Sequence, residues 1–281
     1  MNMNDTTDLL LPKYDFVFKK IFGDPKHTAI LINFLNSIVQ CKEPITKVKL
    51  ENVEITPETL GEKWSKLDVL ATTQDDEIIN IEIQLNNKGN TIPRALFYWS
   101  KLFSRQLLSG EDYSQLKRTI TITILDFNLF KQDKRYWHQC RLTDQEDHSI
   151  MTELMETHFL ELKKMQALRP NSTILETWLE FLRNPYSHEM VELAKTMPQI
   201  AEAQDILARV NNDPEARELW RMREKAIYDE SSALAYAKTE GKLEGEHEEK
   251  LKVAKKMKDA AMDSKIIQQL TGLSAKEIEK A

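Results

Sequence analysis

Glycine, cysteine and long apolar runs are what this sequence has least of. Only 7 of its 281 residues are glycine, too few for an all-β fold with many tight turns, so long helices are expected instead. Its 2 cysteines, Cys41 and Cys140, stand far apart. They form neither a metal-type spacing nor a disulfide scaffold. No stretch approaches the roughly 20 apolar residues of a membrane span, so no membrane is expected among the partners. The opening MNMNDTTDLLLPKYD carries acids and lacks a long apolar segment. No secretory signal is therefore expected, and a cytoplasmic setting is the default. Positive charge is not in excess either. The formal net charge is −6, so a nucleic-acid site would need a local basic patch, or metal ions to offset phosphate charge.

Hydrophobic residues make up 41% of the chain and charged residues 30%. A sizeable core can be buried, in one large domain or one domain with a smaller companion. Residues 13–40 repeat their apolar side chains at helical spacing, with a break at Gly23, Asp24 and Pro25, where Asp24 suits an N-cap before the proline. Residues 45–55, 64–73 and 77–85 read as three strands with short connections, hence antiparallel. Residues 91–109 return to helix. Residues 119–127, TITITILDF, form a fourth strand. Residues 149–165 fit either a helix or a strand centred on HFLEL. Beyond Leu168 every signal is helical: 173–184, 189–197, 200–211, then a long charged stretch from Pro214 to about Ala260. In the tail, a short helix at 266–270, a turn through Gly272, and a capping box from Ser274 to Glu277 suit either a helix-turn-helix or a bare αα-hairpin.

The stretch KLDVLATTQDDEIINIEIQ, residues 66–84, sets an acid in each of two apolar strands. Side chains alternate faces, so Glu82 and Gln84 are neighbours, opposite the apolar face of Ile79, Ile81, Ile83 and Leu85. A two-residue loop would oppose Asp68 to Ile83. A three-residue loop over 74–76 opposes Asp68 to Glu82 and sets Leu67 and Val69 with Ile81 and Ile83; that register is expected, and a bulge would serve the same end. Two opposed carboxylates repel. A divalent cation between them turns repulsion into binding, and Mg²⁺ is commonly held by one or two carboxylates plus waters. The alternative is that both acids are solvated on an open sheet face.

Asp68 followed by Glu82-Ile83-Gln84 resembles the D…(D/E)-x-K signature of the PD-(D/E)XK nucleases. YDFVFKKIFG, FLN, LDVLA, INIEIQ and RALFYWSKLFSRQLLSGEDY together resemble the Rpn-type recombination-promoting nucleases, also called PD-(D/E)XK nuclease family transposases. The resemblance implies an α/β restriction-endonuclease-like core of helix, three strands, helix and strand, followed by an all-helical C-terminal half. The divisions expected are a nuclease-like domain at 1–167, a helical subdomain at 168–212, and a long polar helix with a hairpin tail at 213–281.

The same resemblance makes Asp68, Glu82 and Gln84 the catalytic set. Asp68, Glu82 and the carbonyl of Ile83 would hold Mg²⁺, or another divalent ion such as Mn²⁺ or Ca²⁺. Gln84 stands where the superfamily usually has lysine. It can orient a water but cannot stabilise an anion as lysine does, which leaves charge to the metal, Arg94 or Lys19. Arg94 and Tyr98, one helical turn apart, resemble a Gln-x-x-x-Tyr pair of related nucleases, although Tyr98 is equally readable as core. Lys101 and Arg105 extend the face of Arg94. With Lys19 these are candidate DNA contacts, or the outer face of an ordinary amphipathic helix.

The function implied is a metal-dependent DNA endonuclease acting in DNA recombination or mobility in a bacterial cell. A catalytically inactive DNA-binding or assembly protein on the same fold is the alternative. DNA is the expected partner, and a homodimer through the C-terminal helices is a further expectation. Asp126, at the end of the fourth strand, is a weaker candidate third acid. No P-loop, HExxH, G-x-S-x-G or dinucleotide-binding loop is present.

Overall fold

In TITITIL every residue but the last is β-branched, and the alternation puts threonines on one face and isoleucines on the other. Such a strand needs cover on both sides. In the computed structural model, which describes residues 9–39, 41, 43–51, 54–55, 65–66 and 68–280, it lies inside a sheet and all seven residues are buried. The strands in chain order are β1 (Val48–Leu50), β2 (Glu54–Ile55), β3 (Ser65–Lys66), β4 (Val69–Thr73), β5 (Ile78–Gln84), β6 (Thr119–Leu125), β7 (Trp137–Arg141) and β8 (Met155–Glu161). Six of them form one mixed sheet in the order β1-β4-β5-β6-β8-β7; β2 and β3 pair separately. β1, β4 and β5 are antiparallel neighbours, β5, β6 and β8 are parallel, and β7 returns antiparallel on the far edge.

The β4–β5 register is the expected one, with Val69 opposite Ile81 and Thr72 opposite Ile78. Its loop is residues 74–76. The Thr73 N–H donates to Glu77 O at 3.0 Å, and Asp76 adopts φ 62°, the left-handed residue that a three-residue hairpin loop requires and that aspartate tolerates. Leu67, which was expected to share the apolar face with Val69, lies outside the described residues.

Helix α1 (Asp15–Phe22) ends at Gly23, and α2 (Thr28–Asn36) follows a single 3₁₀ turn that Asp24 caps through the Lys26 N–H. A Cβ on Gly23 would lie 2.8 Å from Lys19 O and 3.4 Å from Val69 Cγ2. The short contact is with a carbonyl of α1 itself, so glycine suits the end of this helix, while the approach to β4 is ordinary van der Waals contact. On the other face, α3 (Thr91–Ser104) packs Tyr98 and Leu102 on Leu70 and Ile78, and Ala95 on Leu125 and Phe159.

The elements differ from expectation in a few places. The 149–165 segment, readable as helix or strand, is strand β8, and the first strand is confined to residues 48–50 within the sheet. The third helix stops at Ser104, five residues short of the expected end. Strand β7, WHQCR, was not expected at all. As an edge strand it is half exposed and polar, so it lacks the apolar alternation that marks buried strands.

The chain divides into two compact units, 1–217 and 218–281. Helices α4 (Ile174–Arg183), α5 (His188–Ala194) and α6 (Pro198–Asn212) belong to the first. Fully buried Trp178 of α4 meets Phe22 and Phe34 edge-on and bonds Asn33 Oδ1 through its indole N–H at 2.8 Å. Helix α7 (Pro214–Asp259) leads into α8 (Ser264–Thr271) and α9 (Ala275–Lys280). Within the second unit, Ile267, Leu273 and Ile278 are buried against Ala254 of α7. The hairpin's apolar face is thus used in packing, which favours the αα-hairpin over a reading head. Among the described residues no helix is long and apolar enough to cross a membrane.

Candidate active site

Asp68 stands just before β4 and Glu82 near the end of β5, opposite each other in the register. They share the face that α3 covers, and both are buried, at 9% and 4% exposure. Their bonding is reciprocal. The Asp68 N–H donates to Glu82 Oε1 at 3.3 Å, and the Ile83 N–H donates to Asp68 Oδ2 at 2.9 Å. Beyond Val69 and Ile81, carboxylates bind the backbone groups of the opposing strand, so each acid is located by the strand that carries the other.

Burial and proximity disfavour two charges here. Burial raises the Asp68 carboxyl above its ordinary range, partly offset by the Ile83 N–H and Lys19. Burial, then the neighbouring Asp68 charge, pushes Glu82 up to about 8 against the pull of Arg94. Lys19 Nζ, from α1, reaches Asp68 Oδ1 at 3.3 Å, and Arg94 Nη2, from α3, reaches Glu82 Oε2 at 3.5 Å. Two cations from opposite sides of the sheet therefore converge on two acids.

Gln84 follows on the same face. Its Oε1 accepts a hydrogen bond from the Thr91 hydroxyl at 3.1 Å. Its backbone carbonyl accepts from the Asp126 N–H at 3.0 Å. Strand carbonyls alternate, so the Ile83 carbonyl points the other way, towards the β4 side where Asp68 lies. Asp126 lies at the same sheet edge, and Lys13 neutralises it at 2.8 Å.

The other candidates separate. Tyr98 is buried with Leu70 and Leu102 and serves the core, although the Arg94 guanidinium lies 5.1 Å from its ring. Lys101 and Arg105 are seven and eleven residues beyond Arg94, about 10 and 16 Å along the helix axis, so they line α3 and do not join the acid pair. Thr91 and Asn80 were not anticipated. Asn80, two residues before Glu82 on the same face, is 1% exposed, and neither amide atom has a partner among the described residues. INIEIQ already displayed that placement, since alternate residues share a face. The Thr91 contact crosses from strand to helix and left no such trace.

The donors suit a hard divalent cation: two carboxylates and a backbone carbonyl. Among the described residues no group of three or more His, Cys, Asp or Glu gathers that could hold a metal. The protein therefore offers a carboxylate pair, the number Mg²⁺ commonly takes while keeping its waters. A cation there would offset both the burial and the Asp68 charge that push Glu82 up.

No curated protein matches the sequence, and no solved structure does. The profile of one family, described as PD-(D/E)XK nuclease family transposase, matches residues 12–237. That span runs from Pro12 past both acids, through α4 to α6 and into α7, well over half the sequence, and the chain belongs to the PD-(D/E)XK nuclease family transposases.

Proposed function

We propose that this chain is a metal-dependent DNA endonuclease that hydrolyses backbone phosphodiesters, acting in DNA recombination or mobility. The observation that carries the reading is the opposed, buried pair of Asp68 and Glu82, held reciprocally by each other's strand. Structural acids are seldom buried face to face.

Asp68, Glu82 and the Ile83 carbonyl would hold Mg²⁺ or a similar divalent ion. Such an ion, when bound, lowers the pKa of a water and stabilises charge on a phosphoryl oxygen. The remaining work belongs to side chains. With the acids neutralised, Lys19 and Arg94 are released to meet a phosphate; the Arg94 side chain is 43% exposed. Thr91 fixes the Gln84 carbonyl, which leaves the amide NH₂ to donate to the attacking water. Attack with departure of the 3′ oxygen yields 5′-phosphate and 3′-hydroxyl ends.

The test is nicking of supercoiled plasmid in Mg²⁺ and in EDTA by wild type, Asp68→Ala and Glu82→Ala. Nicking is expected to need the metal and to fall about 10³-fold or more in both variants, the several kcal/mol that a metal's charge stabilisation supplies. Equal nicking by the variants would place the activity elsewhere. A second reading, a non-catalytic DNA-binding protein, draws on Lys19 and Arg94 already balancing the acid pair. It expects metal-independent binding and no nicking.

Gln84 should matter in its own right. Gln84→Ala is expected to lower kcat about 10²-fold by removing an oriented donor. Thr91→Val should lower it about tenfold by releasing that donor. A Thr91→Val enzyme with unchanged kcat would show that Gln84 needs no holder.

A further inference from the structure

The parallel strands β5, β6 and β8 end at one edge of the sheet, and Glu82 lies near that edge. Just past β8 a cavity of about 470 Å³ opens between the chain before β7 and the segment leading into α4. Lys134, Lys164 and Arg169 line it, with Asn171, Ser172 and Glu176. Three cations against one acid is a local positive excess in a chain whose net charge is −6.

The cations differ in freedom. Lys164 Nζ is fixed by Glu161 Oε2 at 2.6 Å and Phe130 O at 2.7 Å. Lys134 and Arg169 are exposed and have no acidic partner among the described residues; Arg169 bonds only the Gln166 side-chain oxygen and, through its backbone, Ser172. Glu176 is occupied at the α4 capping box, accepting from the Thr173 N–H at 2.7 Å. The free charge facing the cavity is therefore positive. β5 and β8 are two strand spacings apart, about 10 Å, or about three nucleotides at 3.4 Å per step. Along the edge the order is Lys19 at Asp68, Lys13 at Asp126 after β6, then Lys164, Lys134 and Arg169 after β8.

We propose that this cavity is a phosphate-binding cleft that holds the nucleic-acid backbone a few nucleotides from the bond at the acid pair. The proposal rests on the nuclease reading for its substrate class. It explains how an acidic protein grips a polyanion: along this edge the acids are paired with Lys19, Lys13, Arg94 and Lys164, and Lys134 and Arg169 remain without an acidic partner among the described residues. Lys134 and Arg169 are substrate-positioning residues here, and neither touches the reacting phosphate.

The experiment is binding of a short labelled DNA duplex and of its single strand by the full-length protein in EDTA, where no cleavage occurs, over a series of salt concentrations. Lys134→Gln/Arg169→Gln is compared with the equal charge change Lys26→Gln/Lys265→Gln. Both cleft residues are exposed, so the variant should fold. For every phosphate that a variant no longer neutralises, the salt slope should fall by about 1. The slope of the cleft variant should therefore be smaller by about 2, and its binding about tenfold weaker at moderate salt; the control should behave as wild type. An unchanged slope, an equal reduction in the control, or no wild-type binding would overturn the cleft. Wild type that binds in this way yet never nicks DNA with Mg²⁺ would overturn the nuclease reading and leave the cleft standing.

Discussion

Glu82→Gln is expected to abolish metal-dependent nicking and, in the same protein, to raise the melting temperature of the metal-free form near pH 8. The first effect follows from losing one of the two carboxylate ligands. The second follows from the cost of the native charge. Glu82 titrates near 8 in the fold against 4.5 ordinarily, chiefly because it is buried. A carboxyl whose folded pKa is raised favours the fold while it is protonated. That contribution is complete below about 4.5, and it is lost as pH climbs to about 8. Asp68 shifts in the same direction.

Melting scans without metal should therefore show wild type losing a few kcal/mol between mildly acidic and mildly alkaline pH, and the variant far less. Glutamine can still accept the Asp68 N–H, and the exposed half of Arg94 finds water. Mg²⁺ should raise the wild-type melting temperature more at the alkaline end, and should leave the variant nearly unmoved. A wild-type melting temperature that is flat across this range would mean that the acid pair is under no strain without a cation.

Trp178→Ala should be the most damaging single change to the fold. Trp178 is fully buried among Phe22, Phe34 and Phe181, and its indole N–H bonds Asn33. Truncation removes three edge-on aromatic contacts, leaves a cavity and strands the Asn33 oxygen. The expected cost is about 3–5 kcal/mol, a fall of about 10 °C for a protein of this size, measured by calorimetry or denaturant titration. Two of its partner rings, Phe22 and Phe34, lie on α1 and α2, and α1 also carries Lys19. The variant should thus lose activity at temperatures where it is still mostly folded. A loss under about 1 kcal/mol, the scale of a surface substitution, would mean that α4 is not needed to hold α1.

The acid pair was legible because its signal is local and periodic. Alternation in INIEIQ puts Glu82 and Gln84 on one face, and the number of residues between Thr73 and Glu77 decides whether Asp68 joins them. β8 was half legible: HFLEL fits both periods, and only pairing with β6 decides it. β7 was illegible, because an edge strand buries too little to impose a pattern on its residues. The salt bridges of Lys19 and Lys13 join positions far apart in the chain, and no local spacing encodes them. Tyr98 shows the opposite difficulty. Helical spacing put it beside Arg94 but could not tell the core flank of α3 from the site flank.

The loop at 74–76 works as a ruler. Surface loops ordinarily tolerate insertion and deletion at small cost, because closure entropy grows slowly with length. Here each residue added or removed would turn Asp68 through the sheet to the apolar side, beneath α1. Apart from Asp76, which must hold its left-handed φ, the amino acids of the loop are open to drift, whereas its length is bound to the pairing of two acids that stand 14 residues apart in sequence. Recombining this hairpin with a related one therefore preserves the site only where the spacing is carried over whole.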